Sequence, residues 1–373
     1  MAHVLVIGAG IFGTMHAYFS LKAGHRVTLI ERDAYPVSAS VRNFGMIAVG
    51  GRAAGAELEH ALRARELWSE ISIEHAELTF RACGSIMVAK TDQELSVMAE
   101  VARYPDAGSR EWRLLDRNEA REINPALRGA IAGGLYCGQD AAVEPETVLT
   151  EMRAIMSQNP DFRFLPNTEI VKIEEQEDIV LTDRHGSEIH GDLAFVVPGA
   201  DHSTLFPEVL RAAPLRKVHL QMARLADPGV LVTTSVANAD SLRYYPGYKG
   251  KALEALEPPR RIVEELTMQL LLQQRVDGTL TIGDTHVYQE PFPHEMREDA
   301  YHYLTEEIEA IFGSKAPHVL TRWTGVYSQN TTGDICVREK VSDRVMGVTG
   351  PGGRGNTLSP AIAERSVSEL LGV

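Results

Sequence analysis

The chain opens on an apolar run, Ala2 to Ala9, rich in Val and Ile and without polar alternation, which predicts a strand buried on both faces. A helix is expected from about Ile11 to Ala23, stopped by Gly24. The stretch from His25 to Glu31 then reads as a second strand, so the chain begins with a βαβ unit. Leu58, Leu62, Leu67 and Ile71 recur at helical spacing and predict a helix over Glu57–Ala76. A strand at Ile86–Ala89, a polar helix from Asp92 and an irregular stretch through Tyr104 and Pro105 follow. Pro145 precedes a helix expected over Glu146–Gln158. Strand-like runs cover Glu169–Ile173, Ile179–Thr182 and Leu193–Val197, the last two joined by Asp183-Arg184-His185-Gly186 as a hairpin turn.

Beyond Pro214 the pattern changes. Lys217–Arg224 and Thr279–Gly283 read as antiparallel strands, with helices at Glu264 and Glu298–Phe312. The tail returns to short strands and a glycine cluster, then a helix over Ala361–Leu371. The expected fold is α/β, with a Rossmann-type dinucleotide-binding domain interrupted by a second, mainly antiparallel domain. Residues 1–82, 140–213 and 324–373 are assigned to the first and 83–139 and 214–323 to the second.

With 373 residues, the chain is long enough for two domains and a core that encloses a large cofactor. The net charge of −14 is mixed along the sequence, which argues against nucleic acid or anionic membrane as partner. It does not argue against a small anionic substrate, because one local arginine outweighs distant charge. Cys83, Cys137 and Cys336 lie far apart and show no zinc spacing, so free thiols and no metal site are expected. The first strand begins almost at Met1, no run is long enough to span a bilayer, and the expected location is the cytoplasm.

The loop Gly8-Ala9-Gly10-Ile11-Phe12-Gly13 matches G-x-G-x-x-G and sits between a strand and a helix, the setting that dinucleotide binding requires. Gly8 permits the turn, Gly10 lets backbone approach a pyrophosphate, and Gly13 lets helix pack closely on strand. The helix N-terminus, with Ile11 and Phe12, offers N–H groups and a positive dipole end to phosphates. Glu31 ends the second strand where an acid bonds ribose hydroxyls, with Arg32 beside it. A glycine-rich turn in an unrelated α/β protein is the competing reading, disfavoured because strand, spacing and acid agree. Two further segments bear on the choice between FAD and NAD: Ser40 to Gly45, with Arg42, Asn43 and Phe44, and the loop Gly350–Ser359. Gly352, Gly353, Arg354, Gly355, Asn356 and Thr357, leading into a helix, can set N–H groups against N1 and O2 of a flavin. Alone, this loop reads equally well as an ordinary turn before a helix.

Taken together, these segments resemble the D-amino acid oxidase superfamily of FAD-dependent amine oxidases, which includes glycine and sarcosine oxidases. The resemblance also takes in Gly134-Leu135, Val143-Glu144-Pro145, Val171, and Val196-Val197-Pro198-Gly199-Ala200, though the tryptophan that follows the last run in relatives is absent here. A narrower likeness, carried by Val41–Gly45 and Thr281–Tyr288, is to a clade associated with catabolism of 2-aminoethylphosphonate and its N-methyl derivative. The resemblance implies FAD-dependent oxidation of a small primary or secondary amine to an imine and then an aldehyde, with oxygen reduced to hydrogen peroxide. It implies FAD contacts at the residues above, including Val171, Gly199 and Gly325. Where sarcosine oxidases attach flavin through a cysteine, this chain reads Gly325-Val326-Tyr327, so non-covalent FAD is expected. Their oxygen-activating lysine falls at Thr281, and their carboxylate-binding arginine near Ala48.

Such chemistry needs neither triad nor metal, and no catalytic residue is legible. Arg354, Arg243, Lys217 and His286 are candidates to hold an anionic substrate, since Arg binds phosphonate or carboxylate bidentately. Arg354 is set apart by its place in the flavin loop. Tyr244, Tyr245 and Tyr288 are candidates for the pocket wall, although packing explains aromatics, and Trp323, equally well. The expected partners are the amine and oxygen; oligomeric state is not legible. Three readings compete: a glycine, sarcosine or D-amino acid oxidase; a flavin dehydrogenase with a non-oxygen acceptor; and a flavin-binding protein without turnover.

Overall fold

The structure is a computed structural model and describes residues 1–372. Its first sheet has six strands in the order Val337–Lys340, Val345–Thr349, Leu193–Val196, His3–Ile7, Arg26–Ile30, Phe162–Leu165. All neighbours run parallel except the edge pair Val337–Lys340 with Val345–Thr349. Val4, Leu5 and Val6 are fully buried at its centre, which is why that run carries no polar alternation. Helix Ile11–Lys22 is buried along almost its whole length, packed against helices Gly355–Leu371 and Val148–Met156.

The second sheet has eight strands, in the order Val319–Asn330, Leu215–Leu225, Leu280–Gly283, Leu271–Gln274, Ser235–Asn238, Ser85–Ala89, Gly133–Cys137, Trp112–Asp116. It is antiparallel except where Ser235–Asn238 meets Ser85–Ala89. Helix Glu298–Phe312 packs into the apolar cluster formed with Ile86, Val88, Leu272 and Ile282. The expected fold class is therefore present. The boundary expected at 324 falls inside strand Val319–Asn330, which pairs with Leu215–Leu225 over most of its length.

Two local expectations need correction. Ile179–Asp183 turns back not onto Leu193–Val196 but onto Glu188–Gly191, a half-polar strand whose pattern gives little signal, and the chain then enters the parallel sheet. The C-terminal helix begins at Gly355 rather than near Ala361 and runs through Pro360. Proline cannot donate to the carbonyl four residues back, that of Asn356. The indole N–H of Trp68 donates to that carbonyl instead, at 2.9 Å. A distant side chain thus completes a helix that local sequence disfavours.

Candidate active site

Each of the first three glycines is required for a different reason. Gly8 has φ +100°, and a Cβ there would stand 2.3 Å from the Val197 carbonyl oxygen. A Cβ on Gly13 would stand 1.8 Å from the Gly8 carbonyl oxygen, so it is the point where helix meets turn. Gly10 is different: its Cβ would meet only the Ser40 hydroxyl, at 3.0 Å. Gly10 is thus open toward a cavity, while Gly13 lies behind the turn and does not line it. Ser40 accepts the Ile11 N–H at 3.0 Å, and Gly10 brings no side-chain cap to helix Ile11–Lys22. Glu31 accepts the Ala9 and Asp33 N–H groups at 2.9 and 3.2 Å, which fixes its carboxylate beside the turn.

The segment after Glu31 is tied to the second sheet and to the C-terminal helix. Arg42 donates to the carbonyls of Val37 (2.7 Å) and Thr324 (3.0 Å). The amide oxygen of Asn43 accepts from the Gly45 N–H at 2.7 Å and from Asn356 Nδ2 at 2.8 Å. Thr357 accepts the Ala48 N–H at 2.9 Å. Gly45 (φ +76°) serves the backbone: a Cβ there would meet the Val143 carbonyl oxygen at 2.1 Å. Gly352, Gly353, Gly355, Asn356 and Thr357 line the same cavity, so a second helix N-terminus addresses it.

That cavity has a volume of about 1290 Å³ and runs from Gly8, Glu31 and Gly199, past Ser40 and Gly353, to Tyr245, just after helix Ser241–Tyr244, and His286, just after strand Leu280–Gly283. It is larger than the roughly 300–1,000 Å³ of ordinary small-molecule pockets. Its turn end carries an open glycine, a helix N-terminus and a fixed acid, as a dinucleotide needs. Its middle carries a second helix end. FAD fits this donor set.

At the far end, Arg52 is 5% exposed and donates Nε to the Ala48 carbonyl at 2.8 Å. Its Nη1 stands 3.6 Å from Glu57, and its guanidinium lies 5.6 Å from the Tyr245 ring centroid. Burial opposes ionisation of Glu57, but Arg52 and Arg354 together hold its carboxyl below the usual range. Tyr245 meets Tyr244 edge-on at 4.8 Å, and burial pushes its hydroxyl up to about 12. Tyr244 stacks on His286 at 4.5 Å, its hydroxyl 2.9 Å from His286 Nε2. His286 Nδ1 lies 2.8 Å from the Thr267 carbonyl, and Asp284 Oδ2 is 3.5 Å from Nε2.

The residues expected from sequence fall into three groups. Gly8, Gly10, Ile11, Phe12, Glu31, Arg32, Ser40, Arg42, Asn43, Phe44, Gly199 and Gly325 line the cavity, as do Arg243, Lys217, Tyr244, Tyr245, His286 and Tyr288. Arg354 also borders it, but its guanidinium is engaged elsewhere. Its donors go to the Pro351 carbonyl (2.9 Å), Glu57 (3.1 Å) and the carbonyls of Asp334 and Ile335 (3.2 Å each). It clamps the loop instead of presenting a fork to the cavity. Arg243 likewise donates Nη2 to the carbonyls of Leu256 and Glu257. Val171 is 44% exposed and sits at an irregularity in the hairpin register; Thr168, Glu169 and Ile170 line the cavity in its place. Thr281 is buried within the second sheet, and Cys336 packs against the first core. Among the described residues, none of the three cysteines lines the cavity.

Arg52 and Asp284 were not singled out from sequence. Ala48 marked the position where an arginine was sought; Arg52 follows one turn of chain later and folds back onto the Ala48 carbonyl. Asp284 lies within Thr281–Tyr288, read as a unit, and nothing local distinguishes it from a solvated loop acid.

The family described as FAD dependent oxidoreductase matches residues 3–368. D-amino acid dehydrogenase of Helicobacter pylori is 23% identical over 252 residues, 53% of this chain and 60% of that protein, so the match spans less than two thirds of its length. Glycine oxidase from Bacillus cereus ATCC 14579 superposes with a TM-score of 0.81 at 16% identity, over 100% of this chain and 95% of that one. L-alpha-glycerophosphate oxidase from Mycoplasma pneumoniae, with FAD bound, superposes at 0.74 and 17% identity, over 99% and 94%. At such identities the superpositions show a shared fold. The family match covers both sheets and both helix ends that address the cavity, and the chain belongs to the FAD dependent oxidoreductases.

Proposed function

We propose that the protein oxidises a small primary or secondary amine carrying an anionic end, an aminophosphonate such as 2-aminoethylphosphonate or its N-methyl derivative. The observation that carries this reading is Arg52, a buried arginine at the far end of the cavity whose Nη2 has no hydrogen-bond partner among the described residues. A buried cation that is only half neutralised favours an anion, and its planar fork suits phosphonate or carboxylate. Arg216, Lys217 and Arg243 also line the cavity and add positive charge to its wall.

Non-covalent FAD would be held by the Gly8–Gly13 turn, Glu31, the Ser40–Phe44 segment and the Gly352–Thr357 loop. Bound there, FAD supplies the two-electron acceptor. The chain's part is to orient the amine, exclude water and hold the far charge. The imine product hydrolyses to an aldehyde, with oxygen as final acceptor and hydrogen peroxide released. Anaerobic mixing of the holoprotein with 2-aminoethylphosphonate, its N-methyl form, glycine and sarcosine tests the reading. Bleaching by the phosphonates in preference to the amino acids is expected. Bleaching by none of them would leave a flavin-binding protein without turnover.

A second reading is favoured by Thr281, the position where the resemblance seeks an oxygen-activating lysine, which is buried in the sheet. A dehydrogenase passing electrons to a quinone or carrier would reduce oxygen slowly. Peroxide formed per amine consumed separates the two.

A further inference from the structure

The cavity wall opposite Arg52 carries a carboxylate short of donors. Asp284 is 7% exposed and lines the cavity, and its Oδ1 is buried without a hydrogen-bond partner among the described residues. Its Oδ2 stands 3.5 Å from His286 Nε2. The state of that ring follows from its neighbours. Nδ1 faces the Thr267 carbonyl at 2.8 Å, and a carbonyl only accepts, so Nδ1 carries the hydrogen. Nε2 lies closer to the Tyr244 hydroxyl, at 2.9 Å, than to Asp284, and at 3.5 Å it makes no hydrogen bond to that carboxylate. Gln269 meets Tyr245 at 3.4 Å and, against the larger push of burial, also lowers the Asp284 pKa through its side chain, yet Oδ1 stays without a partner among the described residues. Among the described residues, no Lys or Arg pairs with Asp284.

A buried carboxyl short of donors is unfavourable unless a ligand supplies them. We propose that Asp284 receives the amine end of the substrate while Arg52 holds its anionic end, so that the cavity selects zwitterions. Arg52, Tyr245, Tyr244, His286 and Asp284 form a continuous file of contacts, with three rings between the cation and the carboxylate. Arg52 and Asp284 both act on the Tyr245 hydroxyl, so opposite charges flank that ring, an arrangement suited to a chain with an ammonium at one end and an anion at the other. The ring faces between them also favour a passing cation. Burial pushes the Asp284 carboxyl up, offset only in part by His286 and Gln269, as expected for a group whose counter-charge arrives with the ligand.

This assignment rests on the function proposed above, and one experiment separates the two. In the holoprotein, the dissociation constant of 2-aminoethylphosphonate is taken from anaerobic flavin reduction, and that of ethylphosphonate, the same anion without the amine, from perturbation of the flavin spectrum. Wild-type protein should bind the amine at least about tenfold more tightly than ethylphosphonate. D284N should lose roughly 10- to 100-fold for 2-aminoethylphosphonate and stay within about twofold for ethylphosphonate. R52M should weaken both. Equal binding of the two ligands by wild type, or a D284N variant that weakens both alike or neither, overturns the role of Asp284. Should D284N lose its flavin, the wild-type pair still decides. Wild-type flavin that no amine reduces would instead sink the proposed function, and the Asp284 role with it.

Discussion

At the turn end of the cavity the wall is backbone: Gly8 and Gly10, the N-terminus of helix Ile11–Lys22, and amide groups fixed by Ser40 and Glu31. At the far end they are made by side chains from four separate stretches, with Arg52, Tyr244 and Tyr245, Asp284 and His286, and Tyr327 meeting only in the folded molecule. A pyrophosphate is the same in every dinucleotide and can be met by a rigid peptide turn. A substrate differs between relatives and is met by groups that can be exchanged without disturbing that turn.

Glycine substitutions should break the turn end most severely, and in two distinguishable ways. A Cβ at Gly13 runs into backbone, the Gly8 carbonyl oxygen at 1.8 Å, and nothing there can give. Gly13→Val should yield no folded holoprotein. A Cβ at Gly10 meets only the Ser40 hydroxyl at 3.0 Å, a side chain that can swing aside. Gly10→Val should therefore fold, with native-like circular dichroism, yet bind no FAD. Normal flavin content in Gly10→Val would reduce the loop to a turn.

Acid should weaken the same end through His16, a group that does not line the cavity. His16 is fully buried between Phe12 and Phe195, with Nδ1 at the Phe12 carbonyl and Nε2 without a hydrogen-bond partner among the described residues. Burial lowers its pKa from 6.5 to about 4, the Phe12 carbonyl opposing. The native state therefore favours the neutral ring. Above pH 6.5 the ring is neutral in folded and unfolded chains alike. Below it the unfolded chain takes up a proton that the folded one refuses, until about pH 4. Stability should fall by about 1.4 kcal/mol per pH unit across that window, roughly 3 kcal/mol in all. Urea titrations at about pH 7 and about pH 4.5, on either side of most of that window, should show a smaller difference for His16→Leu than for wild type. An unchanged difference would place the acid sensitivity elsewhere.

The contrast between the two ends also explains what was legible. The glycine turn, Glu31 and the first βαβ unit are local in sequence, and their spacing alone placed them. The terminal helix was placed six residues late because Pro360 signals a break, while the carbonyl it leaves unmet is bonded by Trp68, a long-range contact that no local pattern reports. The strand Glu188–Gly191 was missed because it alternates weakly and pairs only within a small hairpin. At the far end, Arg52 and Asp284 are single residues in unremarkable surroundings. Only the fold shows that both are buried in one cavity, and only the hydrogen bonds show that one lacks an acceptor and the other a donor. Arg354 misled for the same reason: its motif placed it beside the cavity, but its partners were invisible.

Arg52→Met should separate charged from neutral substrates. Losing a charged hydrogen bond to a bound anion costs about 1.5–3 kcal/mol, or roughly ten- to hundredfold in affinity. 2-Aminoethylphosphonate should lose that much while a neutral amine of similar size is spared, read from anaerobic flavin reduction. Equal loss for both would mean that Arg52 only supports the wall under Tyr245.

Arg354→Met should show the smallest effect and no such selectivity. The guanidinium joins Pro351, Glu57, Asp334 and Ile335, all protein groups, so its loss loosens the loop at the cofactor arm rather than opening an anion site. Glu57 keeps two other partners, Arg52 at 3.6 Å and the Ala53 N–H at 3.0 Å, which limits the damage to about 1 kcal/mol. Flavin should dissociate several-fold more readily, and charged and neutral amines should reduce the remaining holoprotein with equal, slight losses. A loss confined to the anionic amine would return Arg354 to the substrate. It would also erase the division of labour between the two ends, because one residue would then serve both.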